Sequence, residues 1–90
     1  MDMELLEEKL GELKERLKEW ENFEAFEYKG EWYIRCTLHH TYIFLKVYDL
    51  GYGILLSLPE TNPERVLKLT KESLKCLQEI KENQRMIRIW

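Results

Sequence analysis

Few residues in this chain have a type and spacing suited to chemistry. His39 and His40 are the only histidines, and they are adjacent. Neighbouring imidazoles on a hairpin tip point in different directions, and a zinc site needs two further ligands. The next acid along the chain, Asp49, falls at the far end of the following strand. The pair therefore reads as a polar hairpin tip, and neither a metal nor another cofactor is expected. Cys36 and Cys76 lack CxxC spacing, and each fits a buried free thiol. A bond between them is the alternative, if the second helix lies over the sheet. No Ser or Cys stands near a His in a nucleophile–base motif. Gly51-Tyr52-Gly53 is too short for a phosphate loop, and no helix follows to hold an anion at its N-terminus. The expectation is a protein that is not an enzyme.

One constellation remains, and it suits binding. Tyr33, Arg35, Tyr42, Phe44, Tyr48 and Leu55 fall on one face of a single sheet. An open face of this kind can stack single-stranded bases or meet another protein. Phosphate contacts set nucleic-acid affinity, and this chain has a net charge of −3 with no basic cluster. The helix–strands–helix order also resembles the double-stranded RNA-binding domain. That family carries its basic cluster at the start of the second helix, where this chain reads Pro63-Glu64-Arg65. Protein contact is the preferred reading, and single-stranded nucleic acid the alternative.

The elements that position these residues follow from apolar spacing. From Glu31 to Leu58, apolar residues recur at every second position, the mark of strands with one buried face. If His39-His40 is a two-residue loop, Cys36 faces Ile43, Ile34 faces Leu45 and Trp32 faces Val47. A second turn around Leu50-Gly51 sets Val47 opposite Ile54, Leu45 opposite Leu56 and Ile43 opposite Leu58. Both turns give one inward set: Trp32, Ile34, Cys36, Leu38, Ile43, Leu45, Val47, Ile54, Leu56 and Leu58. The outward set pairs Arg35 with Phe44 and Tyr33 with Lys46, two cation–aromatic contacts. This face is about half apolar by count, so something is expected to cover it.

Met3, Leu6, Leu10, Leu13, Leu17 and Trp20 form a 3-4 seam and predict a first helix over about Asp2 to Glu21, capped by Asp2. Packing on the chain's own sheet is preferred over a seam with a partner, because so few heptads rarely hold a coiled coil unaided. Phe23 to Lys29 predicts a further strand. A two-residue turn at Lys29-Gly30 puts Phe26 and Tyr28 on the outer face, and a three-residue turn puts them on the inner one. The second helix starts near Thr61 or Asn62, with Pro63 suited to the first helical position. Its apolar stripe is Val66, Leu67, Thr70, Ser73, Leu74, Leu77 and Ile80, flanked by Leu69 and Cys76. The tail Arg85 to Trp90 is apolar and basic. It continues the helix, pairs on a sheet edge, or docks on a neighbour.

Ninety residues predict one domain, and 44% hydrophobic content excludes disorder. No run is long and apolar enough for a membrane helix. The acidic N-terminus is unlike a signal peptide, which leads to the expectation of a cytoplasmic protein. Glu and Lys dominate the polar residues, a bias that fits a hot environment. Residues 1–31 hold eleven acids and five bases, whereas residues 61–90 hold four acids and seven bases. Opposite charge on the two ends supports helix proximity within the chain, or an acidic surface of one protomer meeting a basic surface of another.

Tyr42 to Val47, then Gly53 to Leu58, then Pro59 to Asn62 and a long helix resembles the Roadblock/LC7 (MglB-like) pattern over the C-terminal two-thirds. That pattern is a strand, a glycine-bearing turn, an apolar strand, a short linker and a closing helix. The resemblance implies a homodimer with a continuous sheet and a scaffold or regulatory role with small GTPases. The family's opening helix and first two strands have no counterpart, and no functional residue is carried over.

The fold class expected is α+β: helix, a three- to four-stranded antiparallel meander, then helix, in two or three layers. The expected function is a small protein-interaction or regulatory module, homodimeric, with Tyr33, Arg35, Tyr42, Phe44, Tyr48, Leu55, Ile87, Ile89 and Trp90 as contact residues.

Overall fold

The computed structural model describes residues 1–79 and 86–89. The predicted order of helix, antiparallel meander and helix is present: α1 (Met3–Arg16), β1 (Glu21–Tyr28), β2 (Glu31–Leu38), β3 (Thr41–Asp49), β4 (Ile54–Leu56) and α2 (Pro63–Glu79), followed by β5 (Met86–Ile89). The strands form one sheet in the order β4-β3-β2-β1-β5. Every neighbouring pair is antiparallel, so β4 and β5 run parallel at opposite edges. Of the three fates open to the tail, its strand pairs on a sheet edge, with Phe23 opposite Ile89 and Phe26 opposite Met86.

The Asp2 side chain accepts from the Glu4 and Leu5 amides and starts α1. The helix stops at Arg16, short of the Glu21 predicted. Leu17 and Trp20 still pack on the core from the turn that follows, so the seam outlasts the helix. Leu6 and Leu10 are fully buried against Phe23, Ala25, Trp32, Ile34, Cys36, Leu45 and Val47. The α1 stripe thus packs on the chain's own sheet.

The register of β2 against β3 matches the prediction, with Cys36 opposite Ile43 and Ile34 opposite Leu45. His39 and His40 form the two-residue turn, with φ of 50° and 65°. The Lys29-Gly30 turn also has two residues, which settles Phe26 on the outer face opposite Tyr33. Asn22, at φ 56°, marks a bulge near the start of β1, and Asn tolerates that conformation better than most residues.

The second hairpin departs from the prediction by two residues. Val47 faces Leu56 rather than Ile54, and Asp49 faces Ile54. The Asp49 carboxylate accepts from the Gly51 amide at 2.9 Å, and the Leu50 amide donates to the Gly53 carbonyl at 2.9 Å. These bonds enlarge the connection to four residues. A shift of two leaves side-chain parity intact, so Ile54 and Leu56 still reach the inner core. It also shortens β4, and Leu58, expected inside, is 87% exposed.

The second helix is capped by Asn62, whose side chain accepts from the Glu64 amide at 2.9 Å, with Pro63 as the first helical residue. It lies on the outer face of the sheet. Leu69 and Cys76 are buried there with Phe26, Tyr33 and Phe44, and Val66 packs alongside. The molecule therefore has three layers, with a helix on each sheet face. Within the predicted apolar stripe, Leu67 and Leu74 are exposed, while the flanking Leu69 and Cys76 are buried. Among the described residues, no helix is long and apolar enough to cross a membrane.

Candidate interaction surface

The outer face is closed at its centre. Tyr33, Arg35 and Phe44 lie beneath α2, each at most 5% exposed. Their aromatic planes and guanidinium are thereby withdrawn from any partner, nucleic acid included, while α2 is in place. Arg35 is held on several sides. It pairs with the buried Glu24 carboxylate, and its Nη1 donates to Ser73 Oγ at 2.9 Å. Its guanidinium carbon sits 4.7 Å from the centre of the Tyr42 ring. Its Nε has no hydrogen-bond partner. Ser73 in turn donates to the Thr70 carbonyl at 2.9 Å, so its hydroxyl both donates and accepts.

The predicted cation–aromatic pairs are displaced by one step. Arg35 stands opposite Phe44 in register, but its guanidinium covers Tyr42. Lys46 stands opposite Tyr33, but its ammonium lies 5.1 Å from the Tyr48 ring and 3.1 Å from the Glu31 carboxylate. Long side chains reach diagonal neighbours as readily as opposite ones. The Tyr33 hydroxyl donates to Glu31 at 3.0 Å and accepts from Arg65 at 2.7 Å. Arg65 also approaches Glu60 at 3.6 Å. The Lys46 ammonium and then the Tyr33 hydroxyl hold the Glu31 carboxyl below its ordinary range. The same ion pair raises Lys46. Burial, and then the bond to Glu31, raises Tyr33. The network fixes the start of α2 on the sheet.

Among the described residues, no group of three or more His, Cys, Asp and Glu is placed to hold a metal ion. His39 and His40 are exposed and line an open hollow with Glu19, Glu21, Asn22 and Thr37. Cys36 and Cys76 are not joined in a disulfide: they are buried on opposite faces of the sheet, which rules out a bond between them. Burial pushes the Cys36 thiol up to about 12.

Apolar surface is concentrated at one edge. Of the ten exposed large apolar residues described, Tyr48, Leu50, Tyr52, Leu55 and Leu58 fall within one hairpin and the residues just after it. Tyr48 and Leu55 are direct cross-strand partners on the outer face. The Met1 ammonium lies 3.7 Å from Asp49, which brings a further exposed apolar residue to the hairpin's turn. The edge of β4 itself is short. The Ser57 amide donates to the Lys46 carbonyl at 2.9 Å, and Ser57 Oγ accepts from the Lys46 amide at 2.8 Å. Pro59 follows two residues on.

Of the contact residues expected from sequence, Tyr48 and Leu55 are brought together and exposed, and Tyr42 is exposed at the opposite end of β3. Tyr33, Arg35 and Phe44 are buried. Ile87 and Ile89 stand in β5 opposite Ala25 and Phe23, and Trp90 lies outside the described residues. Leu50, Tyr52, Leu58, Leu67 and Leu74 were not foreseen as surface. The signal was present at the turn, where Leu50 and Tyr52 occupy positions that ordinarily favour polar residues.

No protein-family model, curated protein or solved structure matches the chain.

Proposed function

We propose that the protein is a non-enzymatic interaction module that self-associates through the β3–β4 hairpin. The observation that carries this reading is the crowding of Tyr48, Leu50, Tyr52, Leu55 and Leu58 at one edge of a sheet whose two faces are already covered. A patch of exposed apolar side chains of this kind marks a contact surface. Self-association is also what the Roadblock/LC7 resemblance of the second half implies, and the proposal takes no functional residue from it. The hairpin contact is isologous, the same patch meeting itself about a two-fold axis.

Sedimentation equilibrium over a wide concentration range, at low and high salt, tests the reading. The expected result is a dimer at both salts, since an apolar interface is insensitive to screening. Leu55→Glu with Leu58→Glu should give a monomer with an unchanged circular dichroism spectrum. A wild-type chain that is monomeric throughout would remove the proposal. So would a dimer indifferent to both substitutions.

A further inference from the structure

The solvent face of α2 carries a second apolar seam. Val66, Leu69, Ser73 and Cys76 turn toward the sheet. One residue further along at each step stand Leu67, Thr70 and Leu74, with the same three-and-four spacing. A one-residue offset rotates a seam by about 100° around the helix. Leu67 is 55% exposed and Leu74 is 41% exposed. Exposed apolar residues at this period match what another helix presents when it packs alongside.

The charge flanking the seam is mainly basic. From Lys68 to Lys75 the exposed charged residues are Lys68, Lys71 and Lys75, and Glu64 in the first turn is the acidic exception. Glu72 is half-buried beside Cys76. We infer that α2 presents a docking seam for an acidic amphipathic helix of a partner protein. The spacing specifies a helix, and the flanking lysines specify its charge. A second copy of this chain does not fit. Its α2 would set lysine rows against lysine rows, a destabilising arrangement. Its α1 has the acids, but Leu6 and Leu10 are buried on its own sheet. The inference is independent of self-association through the hairpin, and the two surfaces together would let a dimer hold two partner helices.

A labelled peptide of three heptads, with Leu at a and d and Glu at e and g, serves as the probe. Repulsion between its own glutamates keeps it unpaired. A second peptide with Lys in place of Glu is the control. In fluorescence anisotropy at low salt, the acidic probe should bind at least about tenfold more tightly than the control, with the gap narrowing as salt is added. Lys68→Glu, Lys71→Glu and Lys75→Glu together should reverse the preference. Leu67→Asp with Leu74→Asp, at exposed positions that leave circular dichroism unchanged, should abolish binding of the acidic probe. Equal binding of the two peptides, no binding of either, or binding that survives loss of both leucines would each overturn the inference.

Discussion

Truncating Phe44 to Ala measures directly whether α2 seals the outer face. Phe44 is 1% exposed, and it sits in one cluster with Leu69 and Cys76 of that helix. Its ring meets Phe26 at 6.1 Å and Tyr42 at 6.4 Å, both edge-on. Removing a buried Phe costs about 3–5 kcal/mol, of which each edge-on ring pair supplies about 0.5–1.5 kcal/mol. A domain of this length holds about 5–13 kcal/mol in all. The loss would lower Tm by about 12–40 °C. Leu67→Ala is the control. It stands on the solvent side of α2, 55% exposed and away from the hairpin, and its truncation should stay within about 0.5 kcal/mol. Urea unfolding followed by circular dichroism separates the two, with m unchanged in both. A Phe44→Ala loss below about 1 kcal/mol, similar to that of Leu67→Ala, would refute the placement of α2 and reopen the aromatic face. Phe44→Glu sharpens the point: it should unfold the chain rather than release a folded monomer.

Three further outcomes follow from the geometry. His39 and His40 both hold positive φ, a conformation that costs a residue with a Cβ about 1–2 kcal/mol and that Asn-Gly adopts readily. His39→Asn with His40→Gly should therefore raise the urea midpoint by about 1–2 kcal/mol of stability, and an unchanged or lower midpoint would contradict the turn geometry. Glu31 should titrate below its ordinary 4.5 by carbon NMR, and Lys46→Met should move it back up. Because the folded pKa is depressed, its contribution to stability is present above the ordinary value and is lost as pH falls through the depressed one; a titration indifferent to Lys46 would exclude the ion pair. Cys36 and Cys76 should both react with a thiol reagent in denaturant, and on the order of a hundredfold more slowly in the folded chain, whereas fast labelling of either would mean that its side of the core is open.

The legible part of the fold is the part set by period two. The β2–β3 register follows from one two-residue turn and one apolar face, and a slip there would expose the whole inner set. The β3–β4 register lies two residues from the one parity predicts because the Asp49 side chain captures the Gly51 amide and lengthens the loop, a local bond that apolar parity cannot report. Parity survives the shift, so Leu55 is still placed outside, but Leu58 is not. On α2 the difficulty was different. Two apolar seams lie side by side, and periodicity alone averages them into one broad stripe. The Glu24–Arg35 pair was within reach, since a two-residue turn at Lys29-Gly30 sets these residues opposite each other. The apolar pattern alone allows that turn two or three residues. The half-apolar strands say that something covers the outer face, but not what, because that depends on which way a helix remote in sequence comes to rest.

A helix with two neighbouring apolar seams has two rotational settings on the same sheet. By apolar content alone, the seam with Leu67 and Leu74 would serve as well as the one with Leu69 and Cys76. The polar group in the outer core distinguishes them. Arg35 reaches Ser73 only in the observed setting, and a turn of about 100° would carry that hydroxyl away from a buried guanidinium. A wholly apolar core would hold the helix at least as firmly, but it would accept either side of it. Arg35 thus works as a selector rather than an adhesive. It decides which face of α2 is hidden, and in doing so which face the molecule shows to everything else.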